Sequence, residues 1–384
     1  MPNKKKGLKV GVIGSGSVAR VAHIRWYLLN PQVNSVVISD PLQSQLDYCT
    51  ARWPIKRAYT NTQEMLENEE LDLVSICSHI QSHEEHTLMA AKAGVKGILC
   101  EKPMAPTLEE CDSMINACKS AGTVLQMGLM KRFNPGHQTV KRLLSEGVIG
   151  RPYLSWVYWG FGGRMFTRRQ ESTSEFEKRM KDIPNARRGR LPEHGGMVMD
   201  HGAHYADVFR WWMGEVESVQ AEISPSVLAT LKFANGAMGV FADHHGVPDL
   251  FPTREGGYVA GTEGVIKYDI PPWLSYENSY IKVSKQNTTT NVSTYVDLRA
   301  GGDVIEQCVD FIGYMYKREI DAFIQCIAEG TKPVVSGEDG RACTEIVLAI
   351  FKAADEKREV KLPLSESPKI PEIVERIRER TMTI

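Results

Sequence analysis

The first residues able to do chemistry are glycines. Gly14-Ser15-Gly16-Ser17-Val18-Ala19 reads G-x-G-x-x-A, directly after the apolar run Leu8–Ile13 and at the start of a helical stretch. Gly14 permits a tight turn, and Gly16 lets the main chain approach a pyrophosphate. The helix N-terminus, at Ser17 and Val18, offers N–H groups to the anion, and Ala19 is small enough for close helix–strand packing. Asp40 ends the second strand, 26 residues after Gly14. A carboxylate there accepts from adenosine ribose hydroxyls and repels a 2′-phosphate, and Pro41 and Leu42 follow with no arginine to hold one. The expected dinucleotide is NAD rather than NADP, with an ordinary strand-end turn as the alternative use of Asp40.

The elements around these residues alternate. Runs at 8–13, 33–39, 71–77, 95–100 and 123–128 fit buried strands, and helical stretches follow at about 18–29, 42–51, 84–92 and 108–120. Thr107 with Glu110 three residues later forms a capping box for the last helix. Strands alternating with helices of this length mean βαβ units, hence an N-terminal Rossmann, doubly wound parallel sheet. After residue 130 the pattern changes. A linker helix runs from Arg132 to Gly150, then strands at 152–159, 216–223, 227–233, 237–243 and 264–268, with Asn235-Gly236 expected as a type I′ hairpin turn. Helices at about 303–329 and 340–356 pack this sheet. The pattern therefore divides the chain into 1–130, for NAD binding, and a second domain, 131–384.

Composition narrows the function. The 384 residues carry 46 Lys+Arg against 47 Asp+Glu, so no basic excess points to nucleic acid. No apolar run approaches the roughly 20 residues that span a bilayer, and the lysine-rich start lacks a signal-peptide pattern. Eight scattered cysteines without a C-x-x-C pair read as reduced thiols, which fits a cytoplasmic protein with a small-molecule substrate.

Glu101-Lys102-Pro103 follows the fifth strand, at the sheet edge where ligands bind in doubly wound folds. With Gly14–Ala19, His83 before Ala93-Gly94, Arg132-Phe133-Asn134-Pro135, Gly195-Gly196 leading to Asp200 and His204, Asn235-Gly236, Gly261-Thr-Glu-Gly264 and Ser336–Arg341, the chain resembles the Gfo/Idh/MocA oxidoreductases. That resemblance implies a nicotinamide-binding Rossmann domain followed by an α/β domain with a large open, mostly antiparallel sheet. It implies Lys102, Asp200 and His204 as catalytic residues, with Asp207 in support and Glu101 and Pro103 shaping the cofactor site. Cofactor contacts are expected from Gly14, Gly16, Ser17, Val18, Asp40, Ser78, His83, Glu101 and Lys102, and substrate contacts from Lys102, Arg132, Asp200 and His204. Ser78-His79-Ile80 departs from the family's usual Thr-Pro-Asn turn, so His79 alters the lining near the nicotinamide ribose.

The chemistry is coherent on its own terms. Oxidising a secondary alcohol sends a hydride to nicotinamide and needs a base for the hydroxyl proton. An imidazole has a reference value of about 6.5, so His204 can take that proton near neutral pH, and Asp200 four residues earlier shares its helix face. Lys102 can donate to the same oxygen; whether His204 or Lys102 is the base stays open. No metal is expected, although His194, His201, His204, Asp243, His244 and His245 cluster in sequence, His244 and His245 facing opposite ways on a strand. Gly160–Glu193 gathers nine Lys and Arg, either as a substrate-facing loop or as a solvated contact. Tyr153, Trp156, Tyr158 and Trp159 serve as core or as a sugar-stacking face. The charged amphipathic tail Ile370–Arg380 is a candidate subunit contact in a homodimer or homotetramer. The resemblance implies the activity: NAD-dependent oxidation of a secondary hydroxyl of a sugar, cyclitol or glycoside, or reduction of the ketone. A redox-neutral enzyme that recycles its NAD and a non-catalytic dinucleotide-binding regulator are the alternatives.

Overall fold

Short apolar runs with almost no polar alternation build the first sheet. Val10, Val12, Val37, Ile38, Leu73, Val74, Ile76, Ile98 and Leu99 are all essentially buried, as strands covered on both faces must be. The computed structural model describes residues 7–162, 195–224, 226–247, 254–270, 280–285, 288–294 and 311–381. Nearly all of the basic stretch Gly160–Glu193, together with His194, Cys308 and the side chains of His244 and His245, lies outside that description.

The first sheet has six parallel strands in the order β3-β2-β1-β4-β5-β6. They are β1 (Leu8–Ile13), β2 (Val33–Ser39), β3 (Ala58–Tyr59), β4 (Leu73–Ile76), β5 (Gly97–Glu101) and β6 (Val124–Gly128). Between them run α1, which opens with wide π-type turns over Ala19–Ile24 and continues over Arg25–Leu29, then α2 (Gln43–Arg52), α3 (Thr62–Asn68), α4 (His83–Lys92) and α5 (Leu108–Ala121). The order reverses between β1 and β4, so the carboxyl ends of β1, β4 and β5 flank one crevice. The two-residue β3 is too short to leave a hydrophobic pattern, which is why the sequence reading passes over it.

After α6 (Pro135–Ser145), the strands β7 (Pro152–Gly162), β8 (Val216–Ile223), β9 (Ser226–Phe233), β10 (Met238–Val247), β11 (Arg254–Gly261), β12 (Gly264–Asp269), β13 (Tyr280–Lys285), β14 (Thr288–Thr294) and β15 (Val360–Lys361) form the second sheet. Its order is β14-β13-β12-β11-β7-β10-β9-β8-β15. Only β7 and β10 run parallel; the other neighbours are antiparallel. Helix α7 (Gly196–Met213) lies against β7 and β10. Period-two alternation sorts the aromatic strand: Trp159 is 2% exposed and Trp156 41% exposed, so one packs inward and the other on the open face.

The compact units are discontinuous. One comprises Met1–Phe133 with Gly313–Thr344, the other Asn134–Ile312 with Glu345–Ile384. A contiguous division at 130/131 misses this return. Helix α8 (Phe311–Glu329) buries Ile320, Phe323 and Ile324, and its Phe323 and Ile327 close on Gly97 of β5. Helix α9 (Gly337–Glu356) starts in the first unit and ends in the second, and α10 (Ile370–Thr381) closes the chain. Among the described residues, no helix is long and apolar enough to cross a membrane.

The β9–β10 turn differs from the expected type I′. Gly236 has φ +83°, but Asn235 is not among the left-handed residues, and a type I′ turn needs two such residues. The Gly236 N–H donates to Phe233 C=O, while Asn235 donates to Met213 C=O and accepts from Ala237 N–H. These side-chain bonds tie Asn235 to the end of α7 as well as to its own loop.

The Thr107 capping box is present: Thr107 Oγ1 accepts from Glu110 N–H, and the Glu110 carboxylate accepts from Thr107 N–H at 3.0 Å. Thr107→Ala should cost about 1 kcal/mol of stability, read as a lower urea midpoint. An unchanged midpoint would show that α5 is held by packing alone.

Candidate active site

The phosphate loop is shaped by what glycine leaves out. Gly14 has φ +86°, and a Cβ there would stand 2.7 Å from Cys77 O and 2.9 Å from Ser78 N. Any side chain would push the turn away from the end of β4. At Gly16 a Cβ would meet nothing within 4 Å, and Ser17 and Val18 are exposed at the start of α1. Open space over Gly16 beside a helix N-terminus fits a pyrophosphate. Asp40, 8% exposed, braces the loop: Oδ2 accepts from Ser15 N–H at 2.8 Å and Oδ1 from Leu42 N–H at 2.9 Å. Arg20, which carries no obvious signal in sequence, donates to Gly16 O and Gln45 Oε1 and lies over the Tyr48 ring.

A buried polar chain leads from α1 to the Glu101–Lys102 loop. Tyr27 Oη is 2.8 Å from Ser75 Oγ, Ser75 Oγ is 3.1 Å from His23 Nδ1, and His23 Nε2 is 2.9 Å from Glu101 Oε1. His23 and Tyr27 are four residues apart, so one face of α1 presents both to β4. A carboxylate oxygen only accepts, which places the imidazole proton on Nε2. Nδ1 then accepts from Ser75 O–H, and Ser75 Oγ accepts from Tyr27 O–H. Burial pushes the Tyr27 phenol upward in pKa, keeping it a donor. The other Glu101 oxygen accepts from Lys102 N–H at 3.2 Å. Gly128 makes room for this carboxylate, since a Cβ there would lie 3.2 Å from it. Losing His23 would leave the buried Glu101 carboxylate short of a donor, at a cost of about 1–3 kcal/mol or more. Lys102 itself is partly exposed at the carboxyl end of β5. The sequence reading assigned no role to His23 or Ser75.

Two expected contacts are placed differently. The His83 ring is 1% exposed, with Nε2 3.1 Å from Ser78 O and Nδ1 3.1 Å from Pro103 O. Both nitrogens are turned to main-chain carbonyls rather than toward a ligand. Arg132, expected to meet substrate, is 7% exposed and donates to Val334 O and Asp339. That pairing ties the end of the first segment to the turn before α9.

In the second unit, α7 carries Asp200, His204 and Asp207 on successive turns; His204 is 4% exposed and Asp207 fully buried. His201, which the sequence reading treated only as a metal candidate, lies between two carboxylates. Its Nδ1 is 3.6 Å from Asp243 Oδ2 and its Nε2 3.9 Å from Asp200 Oδ2. Both separations are too long for hydrogen bonds. Trp159 stacks on the His201 ring at 4.0 Å and meets Tyr205 edge-on. His137 Nε2 lies 2.9 Å from Glu255 Oε1, both 1% exposed. Burial, then Glu255, pushes the Tyr205 and Tyr268 phenols well up. Among the described residues, no group of three His, Cys, Asp or Glu side chains is placed to hold a metal.

Glu319 on α8 is fully buried, and neither carboxyl oxygen has a hydrogen-bond partner among the described residues. Burial, reinforced by Glu101, pushes its pKa well above the carboxylate range. An unfolded glutamate ionises near about 4.3, so above that value the native state holds a proton the unfolded chain has lost. Stability contributed by this group therefore falls as pH rises, by up to about 1.4 kcal/mol per pH unit. Glu319→Gln cannot ionise. Its unfolding free energy relative to wild type should rise from about pH 5 to about pH 8; a flat difference would mean that Glu319 is ionised in the native state.

Comparison with known proteins identifies the family. Residues 8–129 match the family described as oxidoreductase family, NAD-binding Rossmann fold, and residues 184–362 its C-terminal alpha/beta domain. The chain is 26% identical over 369 residues to myo-inositol 2-dehydrogenase of Thermotoga maritima, covering 92% of this chain and 98% of that protein. It is 28% identical to D-apiose dehydrogenase of Paraburkholderia graminis, covering 94% and 92%. In fold it is similar to levoglucosan dehydrogenase in complex with NADH and levoglucosan, with TM-score 0.75 and 21% identity over 94% of this chain and 100% of that one. The parallel sheet with its Gly14–Ala19 loop, the nine-stranded sheet behind it in sequence and the match of both domains establish that this chain belongs to the Gfo/Idh/MocA family of NAD-binding oxidoreductases.

Proposed function

We propose that this chain is an NAD-dependent dehydrogenase that oxidises a secondary hydroxyl of a sugar, cyclitol or glycoside, or reduces the corresponding ketone. The observation that carries the reading is the placement of Lys102 at the same carboxyl edge of the parallel sheet as the Gly14–Ala19 loop, with its main chain held by Glu101. Relatives along nearly the whole chain bear the names of polyol and sugar dehydrogenases, among them D-glucoside 3-dehydrogenase of Escherichia coli at 24% identity.

In this reading Gly14, Gly16, Ser17 and Val18 hold the dinucleotide phosphates, and Asp40 turns its remaining acceptor capacity to the adenosine ribose. NAD supplies the hydride acceptor. Lys102 donates to the substrate oxygen and stabilises negative charge as it develops there. His204 or Lys102 takes the hydroxyl proton, and Asp200 orients the imidazole. Arg132 is left with a structural part, through Asp339. The reading places the protein in the cytoplasm, in keeping with the seven described cysteines, all free thiols. It also includes self-association, supported by the apolar open face of the second sheet, where Trp156, Leu228 and Met238 are 41–53% exposed.

The test is to incubate the purified chain with NAD and a panel of sugars, inositols and glycosides, following NADH absorbance. At least one polyol should give NADH, and Lys102→Ala and His204→Ala should each lower kcat/KM by about 10²- to 10⁴-fold. Silence across the panel, or full activity in both variants, would overturn the reading. Conversion of a polyol without NADH accumulation would point to the redox-neutral alternative.

A further inference from the structure

Ser78 opens the loop after β4, and its main chain lies against the phosphate loop: a Cβ on Gly14 would be 2.9 Å from Ser78 N. Both polar groups of this serine's outer half are taken by histidines of α4. His83 Nε2 is 3.1 Å from Ser78 O, and His86 Nδ1 is 2.9 Å from Ser78 Oγ. The two rings are three residues apart, neighbours on one helix face. The His83 ring also reaches Pro103 O at 3.1 Å and Met104 O at 3.2 Å through Nδ1. One buried ring therefore touches the main chain beyond β4 and the main chain just after Lys102.

A serine hydroxyl rotates freely unless something holds it, and a free rotor must be ordered when a ligand arrives. His86 removes that freedom. Carbonyl oxygens only accept and burial pushes the His83 pKa down, so the neutral ring donates its single N–H to one of these carbonyl groups and packs against the other, filling the space between the two loops. We propose that His83 and His86 are positioning residues for the dinucleotide: His86 sets the direction of the Ser78 hydroxyl at the cofactor edge, and His83 locks the Ser78 loop to the Pro103–Met104 segment behind Lys102. The proposal rests on the reading of Ser78 as part of the NAD site. His86 belongs to no part of the expected site, and His83 acts through the main chain rather than by touching the dinucleotide.

A double-mutant cycle on the full-length protein tests this, with NADH fluorescence titration as readout. His86→Ala should weaken NADH roughly three- to tenfold, the value of one ordinary hydrogen bond. His86→Asn, which can keep a bond to Ser78 Oγ, should recover most of that loss. In a Ser78→Ala background, His86→Ala should cost nothing further. His83→Gln should raise the KM for NAD and also lower kcat, because the Lys102 loop shares the brace. Additive losses in the double variant, or equal losses for Ala and Asn at position 86, would overturn the proposal. A wild-type protein that binds no NADH would instead remove the NAD reading itself, so the two failures are distinguishable.

Discussion

The Glu101 carboxylate is the constraint from which the first unit is best understood. It is almost wholly buried at the end of β5, and a charge there survives only if donors surround it. His23 supplies one donor and the Lys102 main chain the other. His23 in turn needs Ser75, and Ser75 needs Tyr27, so the hydrogen-bond direction runs one way from the core to the loop. Glu319 occupies the same interior, where burial first, and then the Glu101 carboxylate, pushes its pKa well above the carboxylate range. The result is a hydrogen-bonded carboxylate fixed directly behind the lysine proposed for catalysis.

The second unit solves a different problem. Its sheet is mostly antiparallel and shows one apolar face to α7, yet that helix must also carry Asp200, His201, His204 and Asp207. Aromatic packing reconciles the two demands. Trp159 stacks flat on His201, Tyr205 stacks on Phe241, and His137 lies against Glu255 in the interior. Polar side chains here pack against ring faces and lie beside carboxylates, so the helix is not buried in apolar residues alone.

Local features were legible in the sequence. The strand–helix alternation, the Gly14–Ala19 loop and the Thr107–Glu110 box each depend on residues a few positions apart, and each is found as read. What escaped depends on distant partners. His23 meets Glu101 across 78 residues and Arg132 meets Asp339 across 207, separations on which periodicity is silent. The same holds for α8, whose apolar stripe marks it as a packed helix but not as one that packs on Gly97 of the first sheet. Asn235-Gly236 carried the right turn residues, but the Met213 carbonyl that engages Asn235 lies in another element.

The central claim is that a carbon-bound hydrogen of a polyol passes to NAD on this protein. The most direct measurement is to supply an active polyol deuterated at its carbinol carbons and analyse the nicotinamide product by mass spectrometry and NMR. The account predicts one deuterium at C4 of the reduced nicotinamide, on a single face. Reduced cofactor without deuterium, or polyol converted with no label ever reaching nicotinamide, would contradict it.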